Sequence, residues 1–365
     1  MLFLNNIRPF FCIIIICVAM FYFDESELEK LIVHHIGNKN ENESVLLSEQ
    51  EINIDEDLKA VLVSYFFNSF KDKIFHQFTS DTLEENKVFQ YVTAIFDQPD
   101  LLIDESKKIA NHLFEQSYHP NIKSGELYVS IFRNCIVDDE LVDAIGIFKS
   151  ETKQPFLKVF PQEDNMNITH DRGININKID KACLIFNTEK ELGYKVTIVD
   201  VSGKSKEAHY WKDDFLGLEQ RKDDYYQTQN YIGICKGFVK NVFNGENGVE
   251  RADQIDMLNK SADYFSENKE FDIHDFENKV IENDEVIQAF QEYTEKVTQD
   301  NDLEIKDKFG ISETAFKKSR AQFKSVLKLD KNFHIYIHGD RQKIVKGFDQ
   351  SSGLNYYQVF FDQEN

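Results

Sequence analysis

The chain has 365 residues, 41% hydrophobic and 13% aromatic, so it can bury a sizeable core and wholesale disorder is excluded. Fifteen glycines and five prolines exclude collagen-like and low-complexity architectures. With 42 Lys and Arg against 64 Asp and Glu the net charge is −22, so overall charge does not draw this chain to nucleic acid or anionic lipid, and any such contact needs a local basic patch.

Residues 9–23 form an unbroken apolar run, PFFCIIIICVAMFYF. As a helix it would cover about 22 Å, short of the ~30 Å hydrocarbon core of a bilayer. Arg8 before it and Asp24-Glu25 after it have the polarity of a secretory signal, and Cys17-Val18-Ala19 is a passable cleavage site. Lipid attachment at Cys17 is disfavoured by Ile16, which stands where a small residue is wanted. Met20, however, opens MFYFDESELEKLIVHH, as an ordinary soluble chain would begin. Residues 1–19 are therefore read as a mis-called start; a signal-like extension or short anchor, or a structured extension, are the alternatives. A chain starting at Met20 has no expected membrane contact. Cys135, Cys183 and Cys235 lie far apart in apolar sequence and read as buried free thiols, which favours the cytoplasm.

Residues 31–36 (LIVHHI) predict a strand, GNKNENE a turn, and 44–54 a second strand-like stretch. Asp55 then looks like an N-cap, with Leu58, Val61, Leu62, Tyr65 and Phe66 following at helical spacing. Further helices are expected over 82–96 and 101–116. From 125 to 202 six apolar segments with tight connections predict an antiparallel meander. Residues 20–215 thus read as one α+β domain. Residues 216–365 read as a helical region, with helices over 223–243, 247–265, 271–281, 284–297 and 312–327, followed by three strand candidates forming a short β-meander. The expected fold class is α+β.

No catalytic signature emerges. His34 and His35 are neighbours on a strand and face opposite sides, and His334 and His338 are ~13 Å apart if extended. No phosphate-binding loop and no G-x-S-x-G occurs, and no cofactor or metal is expected. Asp143 followed by Glu151-x-Lys153 resembles the set some Mg²⁺-dependent nucleases use, but Glu151 and Lys153 fall in an expected hairpin turn rather than inside a strand.

The informative charge feature is local. Residues 304–349 hold eleven bases and six acids, a net +5, which leaves −27 on the remainder. On the helix expected from Ser312, Phe316, Phe323 and Leu327 fall within about 40° of one another. Lys317, Arg320, Lys324 and Lys328 form a second stripe about 80° away, which could follow a phosphate backbone. The alternative is a solvated face whose lysines lie along the core. Lys204 and Lys206, beside Gly203, are secondary candidates.

Three segments resemble the bacterial 37-kDa nucleoid-associated protein family: LIVHHIGNKNENESVLLSEQ, GININKIDKACLIF, and YKVTIVDVSGKSKEAHYWKDDFLG. Gly173, Ile174, Asn175 and Ile176 match the first element of the family's middle pattern. Gly203, Lys204 and Lys206 match its loop, and Asp214, Phe215, Leu216 and Gly217 its last segment. The resemblance runs from Met20 to the carboxy-terminus and is strongest over 170–217. It implies a cytoplasmic protein of the nucleoid, without enzymatic activity and with no catalytic residues to carry over. The expected partner is DNA, met directly or through a DNA-associated protein. A protein-interaction module is the second reading and the metal-dependent nuclease the third. Oligomeric state is not legible in the sequence.

Overall fold

The computed structural model describes residues 23, 26–70, 74–119, 121–138, 140–200, 210–323, 326–330, 333–336 and 341–363, without the side chains of 321, 322 and 328. Residues 1–19 lie outside them. The chain divides into two compact units, one ending at Gln220 and one beginning at Arg221.

The first unit is built on an antiparallel seven-stranded sheet. Its strands are β1 (Glu27–Ile36), β2 (His76–Phe78), β3 (Gly125–Val137), β4 (Glu140–Ser150), β7 (Lys181–Phe186), β8 (Lys195–Asp200) and β9 (Leu218–Gln220). They lie in the order β1-β3-β4-β7-β8-β2-β9. Alternation along β3 sends Leu127, Val129 and Ile131 to one face and Tyr128 and Phe132 to the other. The first face is covered by α2 (Lys87–Asp97) and α3 (Leu102–Gln116) through Val88, Val92, Ile109 and Leu113. The second is covered by α1 (Glu56–Phe67), whose Phe66 ring stacks on Phe148 at 4.1 Å. Both faces of the sheet are buried, as the apolar runs require.

Asp55 caps α1, its carboxylate accepting the Leu58 amide at 2.8 Å. The helix docks by its last turn: Tyr65, Phe66 and Phe67 are buried, while Leu58 and Val61 of the expected face stay exposed. The stretch 44–54 is not a strand. It runs beside β1 but pairs only at Leu46, with His35. Elsewhere the Ile52 amide reaches the Leu31 carbonyl and the Ser48 hydroxyl reaches that of Val33, so isolated bonds replace a ladder.

The expected meander is interrupted. β4 pairs with β7, and the two strands between them, β5 (Lys153–Gln162) and β6 (Asn165–Ile174), pair only with each other. A two-residue turn joins them, with Glu163 in the left-handed region at φ 51°. Every residue of β5 is exposed. Period-two alternation specified the strands but not their partners.

The second unit gathers α4 (Asp224–Asn241), α5 (Arg251–Glu267), α6 (Ile273–Phe276), α7 (Asp284–Asp300) and α8 (Glu313–Ser319). Their core is aromatic, with Phe238, Phe265, Phe271, Phe276, Phe290 and Phe309. Asp223 caps α4 through the Tyr226 amide. β10 (Glu270–Asp272) pairs with β11 (Lys308–Gly310), so the helix expected over 271–281 starts later and ends in a wider turn over Glu277–Ile281.

The helix expected over 312–327 is also corrected. α8 ends at Ser319, a 3₁₀ turn covers Arg320–Phe323, and β12 (Val326–Leu329) pairs with β13 (Phe333–Tyr336). β14 (Ile344–Asp349) and β15 (Leu354–Val359) form a separate ribbon, so the tail is two small sheets rather than one meander. Phe316, Phe323 and Leu327 are nonetheless all buried. Leu327 reaches its apolar cluster from a strand, beside Ala252, Ile255 and Ile344. Tertiary pairing has overridden the local periodicity.

Candidate nucleic-acid interface

The four cations Lys317, Arg320, Lys324 and Lys328 do not share one helix. Lys317 is on α8 and donates to Glu313 one turn earlier, at 2.9 Å. Arg320 opens the 3₁₀ turn and is exposed. Lys324 lies outside the described residues. The Lys328 backbone is in β12, opposite His334. The stripe geometry argued from 100° per residue is lost beyond Ser319.

Other bases of the tail meet carboxylates. Arg341 bonds Glu250 at 2.8 Å and Asp253 at 2.6 Å, Lys343 bonds Asp362 at 2.5 Å, and Lys308 bonds Asp272 at 2.5 Å. Lys318 sits over the Tyr225 ring, 5.9 Å from its centre. Lys306 and Lys346 are exposed. The local excess of +5 is thus partly spent on ion pairs, most of them exposed and weak in water.

Lys204 and Lys206 lie outside the described residues. The residues on either side of that segment are held by a buried charged cluster that the sequence reading missed. Lys149 and Lys181 stand directly opposite each other across β4 and β7. Like charges so placed repel. Lys149 Nζ donates to Glu151 Oε1 at 2.7 Å and to the Lys123 carbonyl at 2.8 Å. Lys181 Nζ donates to Asp200 Oδ1 at 2.8 Å. The Tyr210 ring lies beneath both ammonium groups, at 5.9 and 5.0 Å, and its hydroxyl donates to Glu151 Oε1 at 3.2 Å. Burial pulls the Lys149 ammonium below its ordinary pKa even against Glu151. Burial, then the Glu151 carboxylate, pushes the Tyr210 phenol well up, so it keeps its proton. The signal was a lysine closing one apolar strand and another opening the next, but only the register shows that they meet.

The same cluster accounts for Glu151. Asp143, Glu151 and Lys153 do not converge. Asp143 pairs with Arg133, Glu151 with Lys149, and Lys153 with Glu126. Eight residues of extended chain separate Asp143 from Glu151 by about 26 Å. Among the described residues no group of three His, Cys, Asp or Glu is placed to hold a metal ion. Cys135, Cys183 and Cys235 are free and buried, and burial raises each thiol, to about 11 at Cys135 and about 12 at Cys235. No described helix is long and apolar enough to cross a membrane.

The segment Asp214-Phe215-Leu216-Gly217 is structural. Phe215 and Leu216 are buried, and Gly217 adopts φ +61° to turn into β9. Asn86 Nδ2 donates to the Leu216 carbonyl at 2.9 Å and would meet any Cβ at position 217. Asp214 is exposed and accepts from the Tyr118 hydroxyl at 3.2 Å.

Together these features define an α+β protein whose distinctive polar chemistry is ionic, in buried and surface pairs. The family model of nucleoid-associated protein YejK matches residues 32–363, and the chain belongs to that family. No curated protein matches it.

Proposed function

We propose that this chain works in the nucleoid, within the cytoplasm, by binding DNA without sequence preference or by binding a protein already on DNA, and that it catalyses no reaction. The supporting observation is the collection of cations over 304–349 in a chain that is otherwise strongly anionic, within a family of nucleoid-associated proteins. The contacts assigned are Lys317, Arg320, Lys324 and Lys328, with Lys204 and Lys206 in support. Exposed Arg320, in a 3₁₀ turn beside α8, suits a phosphate, because its guanidinium offers a planar fork of donors.

Each phosphate neutralised releases counterions, so log K falls with log salt by about 0.9 per contact. Changing Lys317, Arg320, Lys324 and Lys328 together to Glu is expected to flatten that slope by about 3 to 4 and to abolish retention of duplex above roughly 100 mM salt. Electrophoretic shift or fluorescence anisotropy across a salt series reads both quantities. An unchanged slope removes this surface from the reading. The ion pairs at Lys317 and Arg341 favour the indirect route as the second reading. In that case the purified chain shifts no duplex even at about 50 mM salt, yet is retained by a DNA-bound protein.

A further inference from the structure

We infer that the β5–β6 ribbon is a dimerisation arm, and that its tip pairs face to face with the same ribbon of a second copy of this chain. The two faces of the ribbon differ. On one, Phe156 lies across Gly173, Lys158 pairs with Asp171 at 3.1 Å, and Asn175 bonds Gln154 at 3.2 Å. That face satisfies its own polar groups and covers its two rings in part, leaving Phe156 43% and Phe160 39% exposed. The other carries Pro155, Leu157, Val159 and Pro161 from β5; Met166 and Ile168 stand opposite Pro161 and Val159, which makes the tip apolar, while His170 and Arg172 stand opposite Leu157 and Pro155. Here nothing is covered: Leu157 is 69% exposed, Val159 60%, Met166 69% and Ile168 59%.

An isolated two-stranded hairpin is at best marginally stable in water. On this uncovered face alone the ribbon leaves roughly 500 Å² of apolar surface in solvent, within the range of the largest patch a monomer carries. Two such faces together bury about 1,000 Å², at the lower limit of a specific interface.

Charge argues for a second copy as the occupant. Residues 153–174 carry Lys153, Lys158 and Arg172 against Glu163, Asp164 and Asp171, three of each sign and net zero. Two chains of net charge −22 repel over most of their surfaces, and the neutral arm is where they can approach. A strip packed on itself across a two-fold axis is self-complementary by construction. Side-by-side strand addition to β5 is hindered. The pair Gln162 and Asn165 that closes the two-residue turn is hydrogen-bonded, so alternation aims positions 155 and 161 outward, and proline has no N–H to offer there.

Sedimentation velocity on the full chain tests this at low to mid micromolar concentration. The expected species has twice the 42.8 kDa of one chain. Leu157→Lys with Ile168→Lys places charge on the apolar face and is expected to weaken association about 100-fold or more. Phe160→Lys, on the opposite face, is expected to leave the dimer intact. Circular dichroism should be the same for all three proteins, because these exposed residues fill no core. A wild-type chain that stays monomeric overturns the inference, even if its arm captures another protein. A dimer that survives the two lysines, or that Phe160→Lys disrupts equally, also overturns it. The outcome is independent of the DNA reading, because salt dependence of DNA retention and mass in the absence of DNA are separate measurements.

Discussion

Replacing Glu151 by alanine is expected to cost the first unit about 3–5 kcal/mol, and adding Lys149→Met to recover most of that loss. Lys149 is wholly buried and Glu151 nearly so, with side-chain exposures of 0% and 12%. Without Glu151 the ammonium keeps only the Lys123 carbonyl at 2.8 Å and a long contact to Tyr210, and faces Lys181 across the ladder. An unpaired buried charge is the costly state, not the absence of the pair. Methionine removes the charge and keeps a long apolar stem, so the double variant needs no counter-ion. The chain's single tryptophan reports the transition: Trp211 is fully buried next to Tyr210, with Nε1 donating to the Ala182 carbonyl at 3.4 Å. Urea unfolding followed by its fluorescence gives the cost of each single variant and of the double. If Glu151→Ala alone costs less than about 1 kcal/mol, the cluster is looser than its distances imply.

The elements that local chemistry dictates were legible in the sequence, and those chosen by distant partners were not. Asp55 caps its helix as its position suggested, and Asp223, where the expected 223–243 helix starts, caps the next, because a cap needs only its own next three residues. LIVHHI lies within β1, and the apolar set Phe316, Phe323 and Leu327 is buried as its spacing implied. Yet Leu327 arrives on a strand, because β13 is available to pair and the helix stops at Ser319. β6 (NMNITHDRGI) is far more polar than the apolar runs of β3 and β4, yet its strand partner, and so its departure from the sheet, is set by pairing that no single segment carries. The candidate site fared similarly. Its local charge excess was countable, but the carboxylates that meet Arg341 come from Glu250 and Asp253, some ninety residues away. The Lys149–Lys181 cluster required a register that no single segment carries.

Acidification from pH 7 to pH 5 is expected to cost the first unit about 2 kcal/mol for each of two buried histidines. Burial, and then the charge of Lys107, pushes His34 down to about 4. Burial, and then Lys212, pushes His76 to about 4 as well. The cause at His34 is visible in its bonds. Nδ1 accepts the Ser48 amide at 3.1 Å, so the single ring proton sits on Nε2, 2.9 Å from the Ser106 hydroxyl. A second proton on Nδ1 would oppose the Ser48 N–H. Both folded values lie below the unfolded value near 6.5, so the unfolded chain takes up protons first as pH falls. Stability from these groups is therefore complete above about pH 7, declines from 6.5 downward, and is gone below 4. Most carboxylates are still ionised at pH 5, so the window from 7 to 5 isolates the histidines. In a His34→Asn variant the amide oxygen can still accept from Ser48 but does not titrate. Its stability should fall by about 2 kcal/mol less than wild type over that window, read by Trp211 fluorescence in urea at each pH. Equal slopes in the two proteins would mean that His34 already titrates in the native state at its ordinary value, and that the Ser48 contact does not hold the ring neutral.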